Sequence, residues 1–251
     1  MTTETYVIEH TAPETRTPVQ RILGVLFSPV ETFDQIRQRA DVLLPLLILL
    51  VMSVVSGAMI AQRVDFHAAA QEAMDANPRA AEMSADQLAS MSKFTAKALQ
   101  ISAYGAPVLF TLTLVVVAAA LLLAFRLMGG QGDFKRAFSI ATYAAYPRLI
   151  KTILALGVLW TRSSISMWDL TNPLASNLGF LFDPKTQPLS YGFVSAFDIF
   201  SFWNLALLAI GFAAMSRLSI RRSSFIVVSL WIFANVLTLI GPAMQAISAA
   251  K

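Results

Sequence analysis

Cysteine is absent from the 251 residues, which excludes disulfides, iron–sulfur clusters and thiolate chemistry. Histidine occurs only twice, at His10 and His67, too sparse and too separated for a structural zinc site. Charge is scarce as well: 14% of residues are charged, against about 25% in an ordinary soluble domain. The charges present are clumped, leaving long runs without any, and 56% of the chain is hydrophobic. Together these deficits describe an all-α integral membrane protein. The serines have no plausible histidine partner and the span interiors hold no acid, so neither nucleophilic catalysis nor a carboxylate proton relay is expected. No enzyme activity, cofactor or metal is therefore anticipated. The net charge of +4 sits beside the apolar runs, which points to anionic lipid headgroups as partners rather than nucleic acid.

A bilayer core needs about 20 apolar residues in a helix. Runs of that kind fall at about 42–62, 102–125, 137–160, 199–216 and 223–247, giving a five-transmembrane-helix bundle. The last is longer than needed, so a bend is expected after Gly241-Pro242. Residues 1–17 read as a disordered cytoplasmic tail and 18–251 as the membrane domain. The first apolar run starts near Asp41, beyond a polar leader, which does not suit a cleavable signal peptide. Orientation follows from the short connections. One carries Arg126, Lys135 and Arg136, another Arg217, Arg221 and Arg222, and the leader adds Arg16, Arg21, Arg37 and Arg39. With five spans these share one side, so the chain is expected N-in/C-out in a bacterial inner membrane. Among the connections, Ser84 and Gln87 form a capping-box pattern for a surface helix merging into span two. The LGFLF run at 178–182 is expected at the outer interface. GGQG at 129–132 lacks the lysine and preceding strand of a phosphate loop and reads as a turn, with Asp133 capping the next helix.

Before the first span lies LFSPVETFDQIRQRAD. Ser28 followed by Pro29 and Glu31 predicts a capped helix start, with the hydroxyl accepting from the Glu31 N–H and the carboxylate reaching back. Phe33 and Ile36 fall on one face, with Arg37 and Arg39 nearby as partners for lipid phosphates. Val19, Ile22, Leu23, Leu26 and Phe27 form a second short amphipathic pattern. Two short helices meeting at Ser28-Pro29 make an N-terminal cytosolic amphipathic elbow, either a membrane-parallel support for span one or a docking surface.

Arg148 and Lys151 are anomalous because charge inside a span costs about 2.5–3.5 kcal/mol on insertion scales. They lie on one helix face, either as an anion or headgroup site or as side chains snorkelling from a span kinked at Pro147. Asn204 and Asn235 are expected to hydrogen-bond across helices. Gly57, Ala58 and Gly211 are candidates for close self-association.

The order of these features resembles bacterial members of the Yip (Ypt-interacting protein) domain family. The resemblance rests on the elbow pattern L-x-SP-x-x-TF-x-x-I and on MGGQGDFKRAFSIATYAAYP at 128–147, with Tyr143 and Pro147. It continues in DIFSFWNLALLAIGFAAMSRLSIRRS at 198–223. It implies five bundled helices with a cytosolic N-terminus, and eukaryotic relatives that bind prenylated Rab-type GTPases and shape or sort vesicle membranes. The expected role is a membrane-organising or adaptor protein acting on lipids, an unidentified protein partner or a second copy of itself. The alternative is a small permease or lipid-handling protein anchored on Arg148 and Lys151.

Overall fold

The computed structural model describes residues 16–75, 80, 82–163, 165–166, 169–170, 172–183 and 187–249, with side chains left out at 188 and 240–249. The elements in chain order are α1 (Pro18–Phe27), α2 (Pro29–Gln38), α3 (Leu43–Arg63), α4 (Phe66–Asp75), α5 (Ala85–Leu127), α6 (Phe134–Ala144), α7 (Tyr146–Trp160), α8 (Pro188–Ser195), α9 (Ile199–Ser216) and α10 (Ile220–Ala249). A 3-10 turn covers Leu178–Leu181. Among the described residues the only extended pairing is an isolated bridge between Asn177 and Asp198.

Among the described residues four helices are long and apolar enough to cross a membrane: α3, α5, α9 and the Ile220–Leu239 part of α10. The third expected run, 137–160, is not one helix. It is divided between α6 and α7, which meet at Ala145. Pro147 has no N–H to return to the preceding turn. The chain tightens there, with the Ala145 N–H donating to Thr142 and the Arg148 N–H donating to Ala145. By contrast α10 runs through Gly241-Pro242 as one element, so the expected bend does not interrupt it. The surface helix and span two are continuous over the 43 residues of α5, opened by the reciprocal Ser84 and Gln87 cap.

The capping expected at Ser28 is not formed; the helix start is held differently. Arg16 donates through Nη1 to the Ser28 and Thr32 hydroxyls, both at 2.9 Å, and through Nη2 to Glu31 at 2.6 Å. A guanidinium fork offers several donors at once, so it takes both acceptors that a capping box would have used. The reciprocal box instead forms one helix earlier, between Thr17 and Gln20. Arg16 and Thr17 thus belong to the elbow rather than to the tail; residues 1–15 lie outside the described residues. The elbow is also not a free surface. Phe33 and Ile36, expected to face lipid or a docking partner, are fully buried against α6 and α9. Gly211 makes this approach feasible, since a Cβ there would lie 3.0 Å from the Phe33 ring.

Contacts along α5 set the depth of each element. Gly57 of α3 meets the Ala103 carbonyl, while Phe125 lies 5.0 Å from Phe212 of α9. At about 1.5 Å of rise per residue these two levels are roughly 33 Å apart. From Gly57 back to Leu43 accounts for only about 21 Å. So α3 begins roughly 12 Å short of the Phe125 level, and α2 occupies that level beside Gly211. The elbow fills the depth that span one leaves vacant.

Gly57 and Gly211 are therefore spent on contacts within the chain rather than on self-association. Gly57→Ala drives a methyl into the Ala103 backbone, and a loss of about 1–3 kcal/mol is expected from such overpacking. Gly105→Ala meets nothing within 4 Å and should leave stability unchanged or slightly raised. Thermal unfolding midpoints in detergent compare the two variants directly.

Candidate functional site

The junction between elbow, span one and α6 is built on charge. Arg21 projects from α1 and is buried. Its Nη1 donates to the Arg39 carbonyl at 2.8 Å and to Asp41 Oδ1 at 2.6 Å. The second carboxylate oxygen of Asp41 accepts the Tyr143 hydroxyl at 2.7 Å. The Asp41 carbonyl accepts from Ser139 at 2.7 Å. One turn along, the Tyr146 hydroxyl donates to the Pro45 carbonyl at 3.0 Å. Three residues distant in sequence thus close a relay, Arg21 to Asp41 to Tyr143, in which Arg21 and Tyr143 are buried and Asp41 is half-buried.

The break at Ala145 is repaired from α9. Because the Arg148 N–H goes to Ala145, the Ala144 carbonyl is left over, and the Asn204 amide donates to it at 2.6 Å. Asn204 therefore bonds across helices as expected. Asn235 does not: its amide turns back to the Trp231 carbonyl at 2.7 Å, one turn earlier in α10. Half-buried on α10, this asparagine takes the acceptor one turn back in its own helix.

Higher on the bundle, Lys151 donates to Asp198 Oδ2 at 2.8 Å, an oxygen that also accepts from Ser176. The other oxygen, Oδ1, accepts the Phe200 and Ser201 N–H groups and caps α9. Lys151 is thus engaged in a structural ion pair. Arg148, one turn before it, has no hydrogen bond or ion pair from its guanidinium among the described residues. It lines a cavity of about 100 Å3 with Leu49, Ser53, Phe110 and Thr152.

Of the elbow residues, Pro29 occupies the first turn of α2, Glu31 is engaged by Arg16, and Arg37 lies 3.6 Å from Asp34. The Arg37 carbonyl accepts from Arg136 at 2.6 Å, and Arg39 is exposed. At the α5–α6 turn, Asp133 caps α6 and pairs with Arg136. Burial pushes the Asp133 carboxyl up, but the Arg136 N–H and guanidinium more than offset it, holding the group below its usual range. The face left outward by the elbow is apolar: Val19, Leu23, Phe27 and Val30 are exposed, Phe27 at 82%. Among the described residues no cluster of His, Asp or Glu could hold a metal ion.

The Yip1 domain family model matches residues 23–241, from the elbow through the last helix. The chain belongs to the Yip1 domain family. It is also similar to a Bacillus subtilis (strain 168) protein described as "Membrane protein YknW", 26% identical over 208 residues, covering 83% of each chain. No solved structure matches it.

Within this Yip1-domain protein, Tyr143 and Asn204 were legible as candidates from sequence, whereas Arg21, Asp41 and Asp198 were not selected. The available signal was an acid at the mouth of an apolar run with a tyrosine at the same depth in another span. Removing one member of a buried pair strands the other charge, at a typical cost of about 3–5 kcal/mol. Arg21→Leu should therefore destabilise strongly. Tyr143→Phe, which leaves the ion pair intact, should lose nearer 1 kcal/mol. A double-mutant cycle between Asp41→Asn and Tyr143→Phe should show coupling, and strict additivity would disprove the relay.

Proposed function

We propose that this protein is a non-enzymatic membrane organiser or adaptor of the bacterial inner membrane, working through lateral contacts with lipids and a protein partner. The observation that carries the reading is the elbow: its inward face is locked into the bundle, leaving the apolar ridge Val19, Leu23, Phe27 and Val30 presented outward. A ridge mounted on a buried ion pair is held at a fixed angle and depth. Such an element suits recognition or membrane contact better than gating. The engagement of Lys151 by Asp198 also removes one of the two anchors that a permease would use.

In this reading α6 and α7 together supply a fifth crossing, with the N-terminus inside and the C-terminus outside. Several features support that topology. The two basic connections adjoin, since the Gln131 N–H donates to the Ser216 carbonyl at 3.2 Å. The elbow lies at the same end, against Gly211. At the opposite end the Arg63 guanidinium stacks over Trp160 at 5.6 Å and reaches the Arg162 carbonyl.

The native chain has no cysteine, so single cysteines report position cleanly. With a membrane-impermeant thiol reagent applied to intact spheroplasts, Asn172→Cys should label and Gln131→Cys should not. Phe27→Cys should resist water-soluble reagent from both sides and react with a lipid-soluble maleimide. Free aqueous labelling at Phe27 overturns the ridge as a contact surface. A continuous water-labelled stripe along α7 and α9 would replace the adaptor reading with a permease.

A further inference from the structure

We propose that the cavity at Arg148 holds the phosphate of an anionic phospholipid from the inner leaflet, with the lipid's chains lying along α3 and α7. The inference begins with an unbalanced charge. No acid is bonded to the Arg148 guanidinium among the described residues, and Asp198, the partner of Lys151 one turn on, is already occupied by Lys151, Ser176 and two backbone N–H groups. Arg148 is exposed on the flank made by α3 and α7, so the group of Arg148, Lys151 and Asp198 carries one uncompensated positive charge at the rim of the cavity. An arginine in that setting calls for an anion, and its planar fork matches the geometry of a phosphate.

The surroundings specify an amphiphile. Ser53, Ser56 and Thr152 line the same cavity, the Ser56 and Thr152 hydroxyls donating to the Ser53 and Arg148 carbonyls, while Leu49, Met52 and Phe110 make its walls apolar. Outward from it, Leu47, Val51 and Val54 on α3 and Ile153 and Leu154 on α7 are exposed and apolar. A phosphate held at Arg148 would leave acyl chains on these two strips. The volume of about 100 Å3 suits a phosphate group and not a whole headgroup with its substituents.

Depth explains how a headgroup could reach it. On the flank made by α3 and α7, span one begins roughly 12 Å short of the Phe125 level of α5, at about 1.5 Å per residue. The elbow fills the space beneath, with α1 touching both α3 and α7. Inner-leaflet lipid on this flank is therefore raised, and its headgroups stand on the elbow at the foot of the Arg148 groove. The two halves of the structure, the step and the unpaired cation, thus point to one occupant.

The test uses the full chain purified in mild detergent and titrated with phosphatidylglycerol, with bound lipid counted by native mass spectrometry. Wild type should retain phosphatidylglycerol. Arg148→Gln should lower its apparent affinity at least about tenfold, equivalent to about 1.4 kcal/mol, with Arg148→Lys intermediate. Ser53→Leu keeps the arginine and fills the cavity, so it should lose the lipid as well. It also guards against a result caused only by misfolding of the Arg148 variants. Equal retention by wild type, Arg148→Gln and Ser53→Leu overturns the proposal. So does stabilisation by inorganic phosphate with no effect of the lipid, which would assign the site to a soluble anion. Loss of a crosslinked membrane protein from Arg148→Gln with lipid retention unchanged would likewise overturn it, assigning the arginine to a partner's carboxylate. The adaptor reading stands or falls separately, on the labelling at Phe27.

Discussion

A charged pair in a low-dielectric setting fixes this architecture. The Arg21 guanidinium and the Asp41 carboxylate meet where solvent is largely excluded, and each would be costly to bury alone. Their partners tie three segments together: the first elbow helix, the entrance to span one and the helix α6 that carries Tyr143. Once these segments are joined, Phe33 and Ile36 can settle against the small residue at Gly211, and the elbow becomes part of the bundle. A purely apolar contact at the same place would allow the elbow to slide, because lipid chains compete equally well for apolar surface.

The same logic of mutual satisfaction runs up the bundle. The break forced by Pro147 frees a backbone carbonyl, and a neighbouring helix supplies an asparagine to meet it. Asp198 caps one helix while neutralising a lysine on another. These buried polar groups are met by counterparts at the same depth. The Arg148 guanidinium differs in standing exposed at a cavity rim without an acid bonded to it among the described residues, the position at which an external anion is the natural complement.

Much of this was legible in the sequence. Long uncharged runs announced helices in a membrane, the Ser84 and Gln87 pattern gave a helix start, and Asp133 gave another. What stayed hidden depended on depth and on competition. The Ser28 pattern satisfied every local rule for a cap, yet a guanidinium twelve residues earlier offered its acceptors a better donor. Periodicity identified Phe33 and Ile36 as an apolar face but could not say whether lipid or protein would cover it. In a membrane protein both environments are apolar, so hydropathy loses its power to distinguish core from periphery. Arg21 looked like one more basic residue in a positive leader, because sequence spacing does not reveal that Asp41 and Tyr143 share its level.

The length of α5 has a mechanical consequence. Its 43 residues make a rod of about 65 Å, roughly twice the thickness of a bilayer core. It joins α4 at one end to the basic turn at the other as one helix that continues through Pro107. A tilt of about 5° around its middle would carry each end by roughly 3 Å. The two surfaces of the membrane are thereby coupled through a single continuous helix, and a load applied at its Ala85 end is passed along it toward the elbow.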